Sequence, residues 1–186
     1  MKKLIITTAL LVCSLFGIAQ ENGQHLKFVG VPLNGTISEF HSKFMGKGFQ
    51  HEVALSKSLP LGCRAYKGTF VGEKADIYIY YDVSDKKVYR AKSVITTTDD
   101  DIAQNKYNDI KGMLQIKYSL DKQEEGTYEG NPSFSITVKN ASGEMIGTIS
   151  LYMTSYGSYD KSYAVHIDYE DFINSVNHIS NKMEDL

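Results

Sequence analysis

The sequence has no tryptophan, no run of basic residues and no apolar stretch beyond its N-terminus that is long enough to cross a membrane. Cysteine is almost absent too: Cys13 and Cys63 are the only two, and Cys13 lies in a leader-like segment. Without that segment a single thiol remains. This excludes an internal disulfide, and a lone cysteine in an oxidising compartment is usually buried. The motifs G-x-S-x-G, the P-loop and H-E-x-x-H do not occur, so the common serine-hydrolase, nucleotide and zinc-protease frameworks are excluded. No cofactor and no metal site are expected.

What is present begins with an address. Lys2 and Lys3 form a positive start, Leu4 to Ile18 an apolar core, and Gly17-Ile18-Ala19 a small-x-small cleavage site. Residues 1–19 are therefore read as a signal peptide. A lipoprotein acylated at Cys13 is the rival reading, but Leu10-Leu11-Val12-Cys13 is a poor lipobox because Val12 stands where a small residue belongs. The expected location is the periplasm or the medium. Removing 19 residues from 186 leaves 167, enough for one α+β domain over 20–186. Removing Lys2 and Lys3 from the 20 basic residues leaves 18 against 22 acidic ones, a net charge of −4. That balance argues against nucleic acid and anionic membranes as partners.

The chain is organised around His25 to Phe49. A β-favouring run, His25 to Val29, leads into Gly30-Val31-Pro32-Leu33-Asn34-Gly35, a turn-rich hexamer. Thr36 and Glu39 form a capping box ahead of a helix. Ile37, Phe40 and Phe44 share one face of that helix. Gly48 suits the left-handed residue that stops it, after which Phe49 packs back. The pattern HLKF-G-P-NGT—F—GKGF directly after a signal peptide resembles an uncharacterised family of secreted Bacteroidetes proteins. Tyr107 to Tyr118 and Tyr163 to Leu186 also look like that family. The resemblance implies export and a fold; it carries no catalytic residues.

A β-rich block follows. Strands are expected over His51 to Lys57, Cys63 to Phe70, Ala75 to Val83 and Val88 to Thr97. In the third, Ala75, Ile77, Ile79, Tyr81 and Val83 point one way and Asp76, Tyr78, Tyr80 and Asp82 the other. A helix starts near Asp99-Asp100-Asp101, with Thr98 as its cap, and runs to about Tyr118 on Ala103, Tyr107, Ile110, Leu114 and Lys117. Asp121 to Pro132 reads as a polar loop. Strands over Ser133 to Lys139, Glu144 to Thr154 and Ser162 to Tyr169 precede a last helix from Asp171. Phe172, Val176, Ile179 and Met183 make a clean 4-3-4 apolar stripe on it. The fold class is α+β: antiparallel β-meanders with three helices packed on the sheet. The two α-then-β runs are weakly alike, with a half boundary near residue 98. By element order alone they are analogous to the tandem helix-plus-sheet modules of secreted inhibitors and outer-membrane assembly proteins.

Candidate chemistry is sparse. Cys63 as a nucleophile needs a base and an orienting group, yet His25, His41, His51, His166 and His178 are scattered. Ser158-Tyr159-Asp160-Lys161 matches S-x-x-K but lies in a loop without the supporting motifs. Asp99-Asp100-Asp101 complements a helix dipole better than it binds calcium, which needs spaced oxygens around a glycine turn. The 13 tyrosines are the most informative feature. Tyr78, Tyr80, Tyr152, Tyr156 and Tyr159 are the candidate ligand-binding residues, because tyrosine offers rigid contact area with a polar tip beside adaptable Ser and Gly. The plainer alternative is that they half-bury at sheet edges. The expectation is a secreted, non-enzymatic module for an unknown protein or glycan ligand. An enzyme with a dispersed site, and an inhibitor-like or structural envelope partner, are the alternatives.

Overall fold

The computed structural model describes residues 25–157 and 160–184. The expected signal peptide, Cys13 and Tyr159 lie outside the described residues.

The elements run β1 (Lys27–Phe28), β2 (Val31–Pro32), α1 (Ile37–Met45), β3 (Gln50–His51), α2 (Val53–Ser58), β4 (Cys63–Phe70), β5 (Glu73–Tyr81), β6 (Val88–Thr97), α3 (Asp100–Lys117), β7 (Lys122–Tyr128), β8 (Asn131–Lys139), β9 (Met145–Tyr156), β10 (Ser162–Asp171) and α4 (Phe172–Glu184). β1 and β2 form a hairpin. The other strands form one antiparallel sheet in the order β3-β4-β5-β6-β10-β9-β8-β7. The fold is α+β, mostly strand. The order is palindromic about the β6–β10 pair, as two helix-then-four-strand runs meet along their last strands. At 18 residues α3 is about 27 Å long. That is enough to cross the four strand spacings of about 4.8 Å between β6 and β7.

α1, the β1–β2 hairpin and α3 all cover the same face of the sheet. Ile77, Ile79, Ala91, Ile95, Val165, Ile167, Ile149, Leu151, Phe134 and Ile136 are buried there. The organising stretch builds the aromatic half of this core. Phe44 stacks on Phe49 at 3.8 Å and meets Tyr66 edge-on at 5.2 Å, while Phe28 stacks on Phe70 at 5.3 Å. Phe49 lies so close to Gly68 that a Cβ there would stand 2.3 Å from its Cδ1. The capping box forms: Glu39 N–H donates to Thr36 Oγ1, and Thr36 N–H donates to Glu39 Oε2 at 2.8 Å. Gly48 takes φ +89° at the stop.

Four expectations are corrected. The described residues hold four helices, because His51 to Lys57 gives only the two-residue β3 before turning into α2. Ser56 there accepts from Ala65 N–H at 2.9 Å, so a side chain satisfies the edge of β4 where a strand was expected. Asp121 to Pro132 is a hairpin, not a loop: Glu129 and Gly130 both take positive φ and join β7 to β8. β7 reads polar because it is an edge strand, where charge discourages pairing with another chain. The alternation of β5 ends early. Tyr80 pairs with Arg90 and Tyr81 with Val88, which leaves Tyr89 as the extra residue of a bulge. Beyond it Asp82 is buried and Val83 exposed, the reverse of the expected pattern. Asp99 caps α3 in place of Thr98, its carboxylate accepting from Ile102 N–H at 2.9 Å. The apolar stripe of α4 turns outward: Phe172, Val176, Ile179 and Met183 are all exposed, while Asn174 and Ser175 are buried.

The polar side of α4 is pinned. Asn174 Nδ2 donates to Leu33 O at 2.6 Å and to Val88 O at 3.0 Å. Asp171, fully buried, accepts from Leu26 N–H at 2.9 Å and from Asn174 N–H at 3.0 Å, with His25 Nδ1 also 3.0 Å away. Burial raises the Asp171 carboxyl, and these donors work against the rise.

Candidate functional site: the open face of the sheet

The face of the sheet opposite α1 and α3 carries a different set of residues. Successive strand residues alternate faces, so the registers set Tyr78 beside Lys92, Asp168, Ser150 and Ser135 in one row. Tyr80, Arg90, Glu170, Thr148 and Thr137 form the next row, and Asp76, Val94, His166, Tyr152 and Ser133 the row on the other side. Tyr78, Tyr80, Tyr152 and Tyr156, expected as binding residues from the sequence, therefore share one face. Tyr163, by contrast, points to the core face and packs against it.

Two constructions organise this surface. In the first, Tyr152 stacks on His166 at 4.7 Å with 13° between planes, and Tyr128 leans on Tyr152 at 4.6 Å. Lys92 Nζ lies 5.3 Å from the Tyr152 ring centre, a cation–π distance. His166 is buried, and its Nε2 is 2.7 Å from Thr154 Oγ1. Burial, with Lys92 adding to it, pushes His166 down to about 4, so it is neutral near pH 7. In the second, Arg90 Nε donates to Asp168 Oδ1 at 2.8 Å and Nη2 to Oδ2, a bidentate pair. The same guanidinium lies 5.1 Å from the Tyr80 ring centre. Burial pushes the Tyr80 hydroxyl up to about 12, so it stays a neutral donor and acceptor.

Between the two constructions runs a cleft of about 340 Å³, lined by Arg90, Tyr128, Ser135, Ser150, Tyr152 and Asp168 among others. Its chemistry is aromatic faces, hydroxyls, a self-neutralised ion pair and the Glu170 carboxylate. Sequence reasoning missed Tyr128, Arg90 and Asp168. Tyr128 sat in the expected loop. Arg90 and Asp168 lie on strands read correctly, but the pairing of β6 with β10 spans 78 residues and leaves no local signal.

Cys63 lines one pocket with His41 and His51. Cys63 is buried, and that burial pushes it up to about 11. His51 Nε2 is 3.1 Å from Ser56 Oγ, but that oxygen also takes the Ala65 N–H and so closes the sheet edge. Among the described residues no cluster of His, Cys, Asp and Glu is arranged to hold a metal, and no helix is long and apolar enough to cross a membrane. The chain matches no family model, no curated protein and no solved structure.

Proposed function

We propose that this chain is an exported, non-enzymatic binding module that takes a glycan across the open face of its sheet. One observation carries the reading: Tyr128 and Tyr152, from β7 and β9, line a cleft of hydroxyls and a bidentate Arg90–Asp168 pair on a face that α1 and α3 leave uncovered, with Tyr78, Tyr80 and Tyr156 on the same face outside the cleft. A sugar offers C–H faces to aromatic rings and pairs of hydroxyls to planar polar groups. A protein interface is richer in apolar side chains at its centre, whereas this cleft is lined mainly by Ser, Thr and charged side chains beside Tyr128 and Tyr152. The leader at residues 1–19 and the resemblance to secreted Bacteroidetes proteins support a place in the periplasm or the medium.

The test is binding to an array of bacterial and host glycans by wild type, Tyr128→Ala and Tyr152→Ala. A specific glycan bound by wild type, and at least tenfold more weakly by both variants while each melts within a few degrees of wild type, is the expected result. Unchanged binding in both variants would sink the assignment of this face. A protein captured from envelope fractions, with no glycan bound, would replace the ligand class and leave the tyrosines as the residues to mutate.

A further inference from the structure

The outward stripe of α4 has no role in the glycan reading. Phe172, Val176, Ile179 and Met183 are 44%, 44%, 56% and 65% exposed. A surface helix ordinarily turns such a stripe to the core. Here the helix is held the other way round by buried hydrogen bonds: Asn174 serves the carbonyls of Leu33 and Val88, and Asp171 is bonded to His25 and Leu26. At its far end His178 Nδ1 is 2.7 Å from Asp82 Oδ2, and Asn181 Nδ2 is 3.3 Å from the same oxygen. Rolling the stripe inward would strip every one of these groups. The apolar face is thus a fixed feature of the folded chain.

We propose that this face is the interface of a homodimer, in which α4 packs antiparallel against α4 of a second copy. The stripe has 4-3-4 spacing, which reads the same in both directions. A two-fold axis near residues 177 and 178 sets Phe172 against Met183 of the other copy, and Val176 against Ile179. An isologous contact requires that self-complementarity, and the spacing is that of knobs-into-holes seams.

Charge points the same way. Between Phe172 and Met183 the only ionisable residues are His178, which is turned inward onto Asp82, and Lys182. Antiparallel pairing sends the two Lys182 side chains to opposite ends of the contact, so no like charges meet. A lipid surface fits less well, since membrane-lying helices keep a Lys/Arg-rich polar face in water, whereas the polar face of α4 is spent on its own domain.

With Ile173 beside the stripe, the exposed apolar area is about 400–500 Å² per copy, a patch large enough to mark an interaction site. Two copies would bury about 800–1,000 Å², the size of a weak or transient interface. A contact of that size makes a weak, reversible dimer, so association is sought at high protein concentration.

Analytical ultracentrifugation of the purified protein from about 1 µM to about 200 µM tests this, beside Ile179→Lys and Val176→Glu. Both positions are exposed, so neither change disturbs the monomer core, and thermal melting checks that. Wild type is expected to pass from monomer to dimer across the range, with each variant at least tenfold weaker. A monomer throughout overturns the proposal, as does a dimer indifferent to both variants. Flotation of a monomeric wild type with neutral phosphatidylcholine vesicles, lost in Ile179→Lys, overturns it in favour of a lipid occupant. None of these outcomes depends on a glycan.

Discussion

Val29-Gly30, Val71-Gly72 and Glu129-Gly130 each join two strands with both central residues at positive φ. Glycine accepts that conformation freely, but a β-branched residue does not. Val71, exposed at φ +47°, stores strain without packing in return. Val71→Asn is expected to raise stability by about 1 kcal/mol in denaturant unfolding. A second single-residue effect concerns pH. His166 titrates near 4 when folded and near about 6.5 when unfolded. The unfolded chain then binds more protons through this interval. The stability contributed by neutral His166 is fully present above the unfolded value and is lost as pH falls toward 4. The loss is on the order of 2–3 kcal/mol. His166→Phe should flatten the dependence of the unfolding midpoint on pH between those limits. A profile as steep as wild type would assign it to other groups.

At the scale of elements, the structure separates what periodicity can reveal from what it cannot. Ile37, Phe40 and Phe44 in α1, and Ala103, Tyr107, Ile110 and Leu114 in α3, face the core as their spacing indicates. The stripe of α4 has the same kind of spacing and faces outward. Spacing reports that a helix has two faces; which face the domain accepts depends on remote partners. Those partners are the carbonyls of Leu33 and Val88, the Asp82 carboxylate and the N–H of Leu26, none within 80 residues of the side chain that meets it. Edge strand β7 was missed for a related reason, since a strand with both faces wet shows no alternation. Two substitutions probe these elements. Asn174→Ala leaves two buried carbonyls without their donor and is expected to cost about 2 kcal/mol. Gly68→Ala drives a methyl into the Phe49 ring and should cost about 1–3 kcal/mol. Equilibrium unfolding reads both.

At the largest scale the described residues are built around one eight-stranded sheet with opposite demands on its two sides. Meander order, antiparallel pairing and the tyrosine-bearing face of β5 were legible in the chain. The closure of the sheet through β6 and β10, which brings Tyr80 and Arg90 into one surface with Tyr152 and Asp168, was not. Tyrosine is used on both sides, and the same truncation should therefore mean different things. Tyr66 is fully buried among Phe44, His41 and His51 on the helix-covered side. Tyr66→Ala is expected to remove about 3–5 kcal/mol of stability by opening a cavity. Tyr152 rests between His166 and Tyr128 on the open side, so Tyr152→Ala removes one cross-strand stack worth about 1 kcal/mol. Unfolding curves for the pair measure how far the sheet divides its work. A large loss for Tyr66→Ala beside a small one for Tyr152→Ala would place stability on the covered face and leave the open face free for recognition. Equal losses would make Tyr152 a structural residue and remove the support it gives to a binding surface.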